Sequence, residues 1–302
     1  MRYLTLAALA LLLFSSCDKT DNPTNSPKLR FTFKFDPTQQ RLGNLGTPVS
    51  VPSGNAAQVP DIQAFSVHFI ELAKDQFTQF HSGAQVYWGA ETSAGGSAAI
   101  DHSKAIIADE NTVFLEVPLS QIPAGTYQYI RTSAAYQKYS IRFNILNTPL
   151  GNVNNQTGTL ASFVGFNTYI NTVTPVTKTL TVNDDKKQGF WAFETQFTGS
   201  LAPYNQLLSG SAPEGATTVP NPLAATADIP LGSCVVVGQF QTPLIITGNE
   251  TTDINVTLSY SINNSFEWID TNANQQWDLD ATTQTIEPVV DMGLRGLIAK
   301  IQ

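Results

Sequence analysis

Leu29-Arg30-Phe31-Thr32-Phe33-Lys34-Phe35 is the stretch that decides the fold class. Leu29, Phe31, Phe33 and Phe35 fall on one face, and Arg30, Thr32 and Lys34 on the other. Strict alternation is the period of a strand with one face on a core and the other in water. Pro37 and the pair Gly43 and Gly46 end it. The pattern returns downstream. Phe65, Val67 and Phe69 alternate with Ser66 and His68, and Val113, Leu115 and Val117 share a face. Pro123-Ala124-Gly125 turns the chain into Thr126-Tyr127-Gln128-Tyr129-Ile130-Arg131. Further strands are expected over 140–145, 178–182, 190–197, 234–240 and 253–262. No long window carries a helical stripe with caps. Short strands punctuated by Gly, Pro and Asn predict an all-β fold, an antiparallel β-sandwich of the immunoglobulin or jelly-roll kind, over residues 29–302. Two polar stretches, 150–159 and 209–230, read as loops. The second holds four prolines and either divides two lobes or is a long loop on one sandwich.

Upstream of the first strand the sequence reads as an export address. Met1-Arg2-Tyr3 precedes an apolar run over 4–14 broken only by Thr5, and Ser15-Ser16-Cys17 follows. A positive start, a short apolar core and small residues before a cut make residues 1–16 a secretory signal peptide. The run is shorter than the roughly 20 apolar residues that span a bilayer. The segment resembles the lipobox of bacterial lipoproteins, with Phe14 where Leu is usual. That resemblance implies lipidation at Cys17 and a membrane partner through the lipid anchor. Residues 17–28 hold two prolines and show no apolar periodicity, and read as a solvated tether. Lys19 and Asp21 resemble the export signal of Bacteroidetes lipoproteins, which implies an outer-membrane location, on the periplasmic or the cell-surface side.

Removal of residues 1–16 takes away Arg2 and leaves a formal charge of −9, against −8 for the whole chain. Such a balance repels nucleic acid and anionic lipid. With Cys17 committed to lipid, Cys234 is alone in the apolar run Cys234-Val235-Val236-Val237, the place of a buried, inert thiol.

The first half has an order of elements that resembles a known family. Phe31-Thr32-Phe33-Lys34-Phe35 comes first, then a Leu42-Gly43 to Leu45-Gly46 turn region. Residues 62–72, Val113-Phe114-Leu115-Glu116-Val117 and Ile122-Pro123-Ala124-Gly125-Thr126-Tyr127 follow. Together with Gly189-Phe190-Trp191-Ala192-Phe193, this order is similar to the MbnP-like proteins, exported β-sandwiches related to copper-binding surface proteins. The resemblance covers roughly residues 29–197 and implies a metal-handling alternative. Copper is nevertheless not expected here, because the chain has only His68, His81 and His102 and no His-x-His pair.

The sharpest local pattern lies near the C-terminus, in Asp270-Thr271-Asn272-Ala273-Asn274-Gln275-Gln276-Trp277-Asp278-Leu279-Asp280. Asp270, Asn272, Asn274 and Asp278 stand at positions 1, 3, 5 and 9 of an EF-hand-type loop, and Gln276 supplies a backbone carbonyl at position 7. Hard oxygens at alternate positions of a tight loop are what Ca²⁺ requires. Gln275 replaces the turn glycine, and position 12 is Ala281 rather than a bidentate Glu, with Asp280 or Glu267 as compensating carboxylates. Weak Ca²⁺ binding and a polar hairpin loop without metal are both open readings. Removal of Asp270 and Asp278 together is expected to leave the calcium-free fold nearly unchanged.

No Gly-x-Ser-x-Gly, His-Glu-x-x-His or P-loop is present, so no catalytic residues are assigned. His81 and His102 sit in polar surroundings and read as solvated, and His68 as mid-strand on the face opposite Phe65 and Phe69. Trp88, Trp191, Trp268 and Trp277 are either core aromatics or a platform for sugar rings. The expectation is a non-enzymatic, outer-membrane binding or accessory module for an unknown protein or glycan ligand, stabilised by calcium if the loop is loaded.

Overall fold

The computed structural model describes residues 26–302 except Glu214 and Leu231; the signal peptide, Cys17 and most of the tether lie outside the described residues. The protein is all-β, its sheets packed as a sandwich. The alternating stretch forms the strand Lys28–Asp36, whose Leu29, Phe31 and Phe33 are fully buried. Phe33 stacks on Phe114 at 3.9 Å and meets Phe65 edge-on at 4.9 Å. Aromatic rings in contact at these spacings add to the stabilisation from area burial alone.

The main sheet runs, from edge to edge, through Leu207–Ser211, Phe190–Thr195, Gly151–Phe163, Gly125–Thr148, Val235–Ile246, Leu297–Ile301, Ile254–Ser261, Lys28–Asp36 and Val113–Pro118. Its spine is Gly125–Thr148, a strand of 24 residues. The first part of this spine pairs with Val235–Ile246 and the later part with Gly151–Phe163, while Asp61–Ala73 lies along its other edge. The spine starts at a corner that the Pro-Ala-Gly-Thr-Tyr turn creates. There the buried Tyr127 hydroxyl donates to the Pro123 carbonyl at 2.6 Å, pinning the turn four residues upstream.

Several expectations need correction. The sandwich is not purely antiparallel: Lys28–Asp36 runs parallel to Ile254–Ser261 through eight register pairs. Residues 150–159 are not a loop but belong to the strand Gly151–Phe163, where partners on the spine satisfy the Asn-rich backbone. The stretch after Ser211 is irregular, yet it packs. Leu223 and Ala227 form a small cluster with Val237, and Asn221 donates through its amide to the Ala227 carbonyl. The apolar core draws residues from Leu29 to Ala299, on both sides of this stretch. The last part of the chain supplies two strands in different sheets, Val289–Asp291 and Leu297–Ile301, separated at Gly293 and Gly296. His68 is buried because the strand Asp61–Ala73 is covered on both faces and carries bulges around Val67.

Candidate functional site

The Asp270–Asp278 loop leaves the strand Phe266–Ile269 and returns in the strand Asp278–Asp280, which pairs in parallel with Asn144–Leu146 of the spine. Trp277 anchors it. This side chain is fully buried, edge-on to Phe193 at 5.0 Å and Phe266 at 5.2 Å, and its indole N–H donates to the Glu287 carbonyl at 3.0 Å. The loop is therefore tied to the core at the residue just before its last carboxylate.

The structure brings four of the expected side chains together. Asn272 and Asn274 each donate through Nδ2 to Asp278 Oδ2 at 2.6 Å. Asp270 accepts the backbone N–H groups of Asn274 at 3.1 Å and Gln275 at 2.9 Å. Gln276 contributes only backbone here, its N–H donating to Asn274 Oδ1 at 2.7 Å. Ala273 and Gln275 both adopt positive φ, 58° and 63°. The second is the position where a calcium loop of this type uses glycine, so Gln275 takes up the same backbone bend without glycine's freedom. A half-turn of the Asn272 and Asn274 amides exchanges their donors for oxygens aimed at the same point. Two amide oxygens would then lie beside Asp278 Oδ2, hard donors of the kind calcium takes, at the loss of the N–H bonds that Asn272 and Asn274 Oδ1 now accept.

Neither compensating carboxylate named from sequence joins this group. Asp280 accepts the N–H groups of Thr282 and Thr283 and the Asn147 amide, and these bonds hold it below the usual carboxylate range. Glu267 belongs to a buried ion cluster with Arg41 and Arg295. Sequence reasoning missed Glu287 and Asn144. Glu287 accepts Thr271 N–H at 2.7 Å through one oxygen and Asp278 N–H at 3.0 Å through the other, so it braces both ends of the loop. Burial, together with the neighbouring Asp278 carboxylate, pushes Glu287 above its ordinary range. Asn144 donates to Asp278 Oδ1 at 2.9 Å from the spine. Both lie far from the loop pattern in sequence, and only the topology brings them in.

Beside the loop, on the far side of Asp278–Asp280, the surface opens into a cavity of about 700 Å³. Ile145, Val153, Trp191, Phe197, Leu208 and Ile286 give it apolar walls, and Asp280 also lines it. The volume falls within the range of small-molecule sites. Leu150 and Tyr204, 84% and 66% exposed, mark where it meets solvent.

The tryptophans divide. Trp191, Trp268 and Trp277 are buried and unable to stack on a sugar, whereas Trp88 is 44% exposed. Trp88 gathers His68 at 5.3 Å and His81 at 5.5 Å, and its indole N–H donates to Glu91, which also lies 3.1 Å from His68 Nε2. His81 is exposed as expected. His102 is not solvated: it packs against Tyr136 and Phe163 at 4.9 and 4.8 Å, and burial brings its pKa down to about 4. Cys234 is buried and its thiol pushed up to about 12 by desolvation.

Compared with protein-family models, curated proteins and solved structures, the chain matches none.

Proposed function

We propose that this chain is a non-enzymatic lipoprotein, held at the outer membrane through Cys17, whose folded part binds an apolar ligand in the cavity beside the Asp270–Asp278 loop. The observation that carries this reading is the cavity itself. A monomer that keeps about 700 Å³ of apolar-walled space open to solvent forgoes the burial that filling it would bring, which is the ordinary economy of a binding site. In the same reading calcium at Asp270, Asn272, Asn274, Gln276 and Asp278 is a staple: it holds the strand Asp278–Asp280, whose next residues form one wall of the cavity. Titration with the uncharged dye Nile red tests the binding. Saturable fluorescence enhancement, lost in a folded Leu208→Trp variant, is expected. No saturable enhancement, or robust turnover of esters, glycosides or peptides by the purified protein, overturns the reading.

A second reading, metal handling by an MbnP-like protein, draws on the gathering of His68 and His81 around Trp88. Imidazoles suit copper better than carboxylates do. Stoichiometric copper in protein purified without added metal would favour it over the first.

A further inference from the structure

The inference rests on the binding reading above and concerns the ligand's charge. Among the described residues that line the cavity, Asp280 is the only one with a charged side chain, and none is Lys or Arg. The Asp280 carboxylate is fixed. Thr282 N–H at 2.8 Å and Thr283 N–H at 2.9 Å donate to one oxygen, and the Asn147 amide donates to the other at 2.6 Å. Held from both oxygens, this carboxylate has no freedom to swing away from the wall. The rest of the wall is mostly apolar, with the neutral polar side chains of Thr148, Thr195, Gln206, Ser209 and Gln284 among it, so no other formal charge offsets that of Asp280. The apolar residues Leu150 and Tyr204 at the opening come from separate elements, the turn before Gly151–Phe163 and the short 3₁₀ helix Gly199–Tyr204.

We propose that the cavity takes uncharged or cationic amphiphiles and turns away anionic ones of the same shape, with Asp280 as the residue that sets this preference. The chemistry fits a quaternary or primary amine on an apolar body, or a neutral alcohol, and opposes a fatty acid or an alkyl phosphate.

Displacement of Nile red by decyltrimethylammonium and by decanoate at pH 7.5 tests the proposal. The two probes carry one charge each on chains of about the same length, and because their head groups differ in hydration it is the change on removing the Asp280 charge that isolates the sign. The cation should displace the dye at a concentration about tenfold lower than the anion. Asp280→Asn, which keeps an oxygen for the Thr282 and Thr283 N–H groups, should bring the two within about threefold, and high salt should narrow the gap in the wild type. Equal displacement by both probes in the wild type, or a gap that Asp280→Asn leaves unchanged at wild-type melting temperature, overturns the charge preference while the binding reading stands. Failure of Nile red to saturate the wild type overturns the binding reading, and the preference with it.

Discussion

Asp278 accepts amide hydrogen bonds from Asn144, Asn272 and Asn274, and it is almost fully buried. That corrects the expectation that removing Asp270 and Asp278 leaves the calcium-free fold untouched. Truncating Asp278 to Ala strands the buried Asn144 amide, at about 1–3 kcal/mol, so the double Ala variant should melt earlier even in chelator. Asp270→Asn is the cleaner probe, because it removes a charge and keeps an oxygen. With calcium at ten times its dissociation constant, linkage predicts about 1.4 kcal/mol of added stability, or about 3 °C in melting temperature for a chain of this size. Asp270→Asn should lose that rise, and equal melting of the wild type in calcium and in chelator would reduce the loop to a polar turn. His102 supplies a second test at this scale. Burial lowers its folded pKa to about 4, below the roughly 6.5 of the unfolded chain. Its contribution is fully present above about pH 6.5 and is lost as pH falls toward 4, by up to about 3 kcal/mol. Urea midpoints compared at pH 7.5 and pH 5 should fall less for His102→Gln than for the wild type.

Among the elements, strands were readable whether one face or both are covered, but the burial of the second face was not. Lys28–Asp36 alternates in burial residue by residue, as its sequence alternates. Asp61–Ala73 is buried from Ala64 onward, so His68 and Glu71 lie inside despite their polarity. Glu71 is there because Arg131, itself fully buried, donates to it at 3.1 Å. Nothing local in the chain signals a partner 60 residues away. The Asn-rich stretch before Gln156 read as a loop because Asn and Gly favour turns, but pairing along the spine overrides that preference. The candidate site divides in the same way. The Asp270–Asp278 pattern was visible because its spacing is local, while Glu287, Asn144 and the cavity walls come from elements that meet only through tertiary packing. A related cross-element clasp holds the turn at 174–178. The buried Glu194 accepts the N–H groups of Val176, Thr177 and Lys178 and the Thr177 hydroxyl. Burial opposes its ionisation, but these donors outweigh it and hold the carboxylate below its usual range. Its stabilising effect is therefore present at neutral pH and lost as pH falls through that lowered value. Glu194→Gln should cost about 1–3 kcal/mol at pH 7 by urea denaturation, with the deficit shrinking in acid.

Over the whole molecule, distant parts of the chain are joined by one buried ion cluster. Glu267 accepts from Arg41 and Arg295, and Arg295 also reaches Asp291 at 3.0 Å. Thr218 donates to Asp291 from the long irregular stretch. The cluster thus fastens the N-terminal loop, the irregular stretch and the C-terminal strands to each other. Removing one member leaves a partner charge buried without its counter-ion, so Glu267→Ala should cost about 3–5 kcal/mol by urea denaturation. A loss below 1 kcal/mol would show that water reaches these groups. The parallel pairing of Lys28–Asp36 with Ile254–Ser261 has a kinetic consequence. Lys28–Asp36, with three phenylalanines on its buried face, has its parallel neighbour about 225 positions later, so one of its edges stays unpaired until almost the end of the chain is available. Loops of that length close slowly, and contacts so remote in sequence place the rate-limiting search late in folding. Until Ile254–Ser261 arrives, that edge of the strand is open to other chains, and high protein concentration should favour aggregation over folding. Refolding from urea should therefore be slow, in the range of seconds, with a yield that falls as protein concentration rises. Thr32→Lys on the half-exposed face of that strand should slow aggregation more than it slows folding.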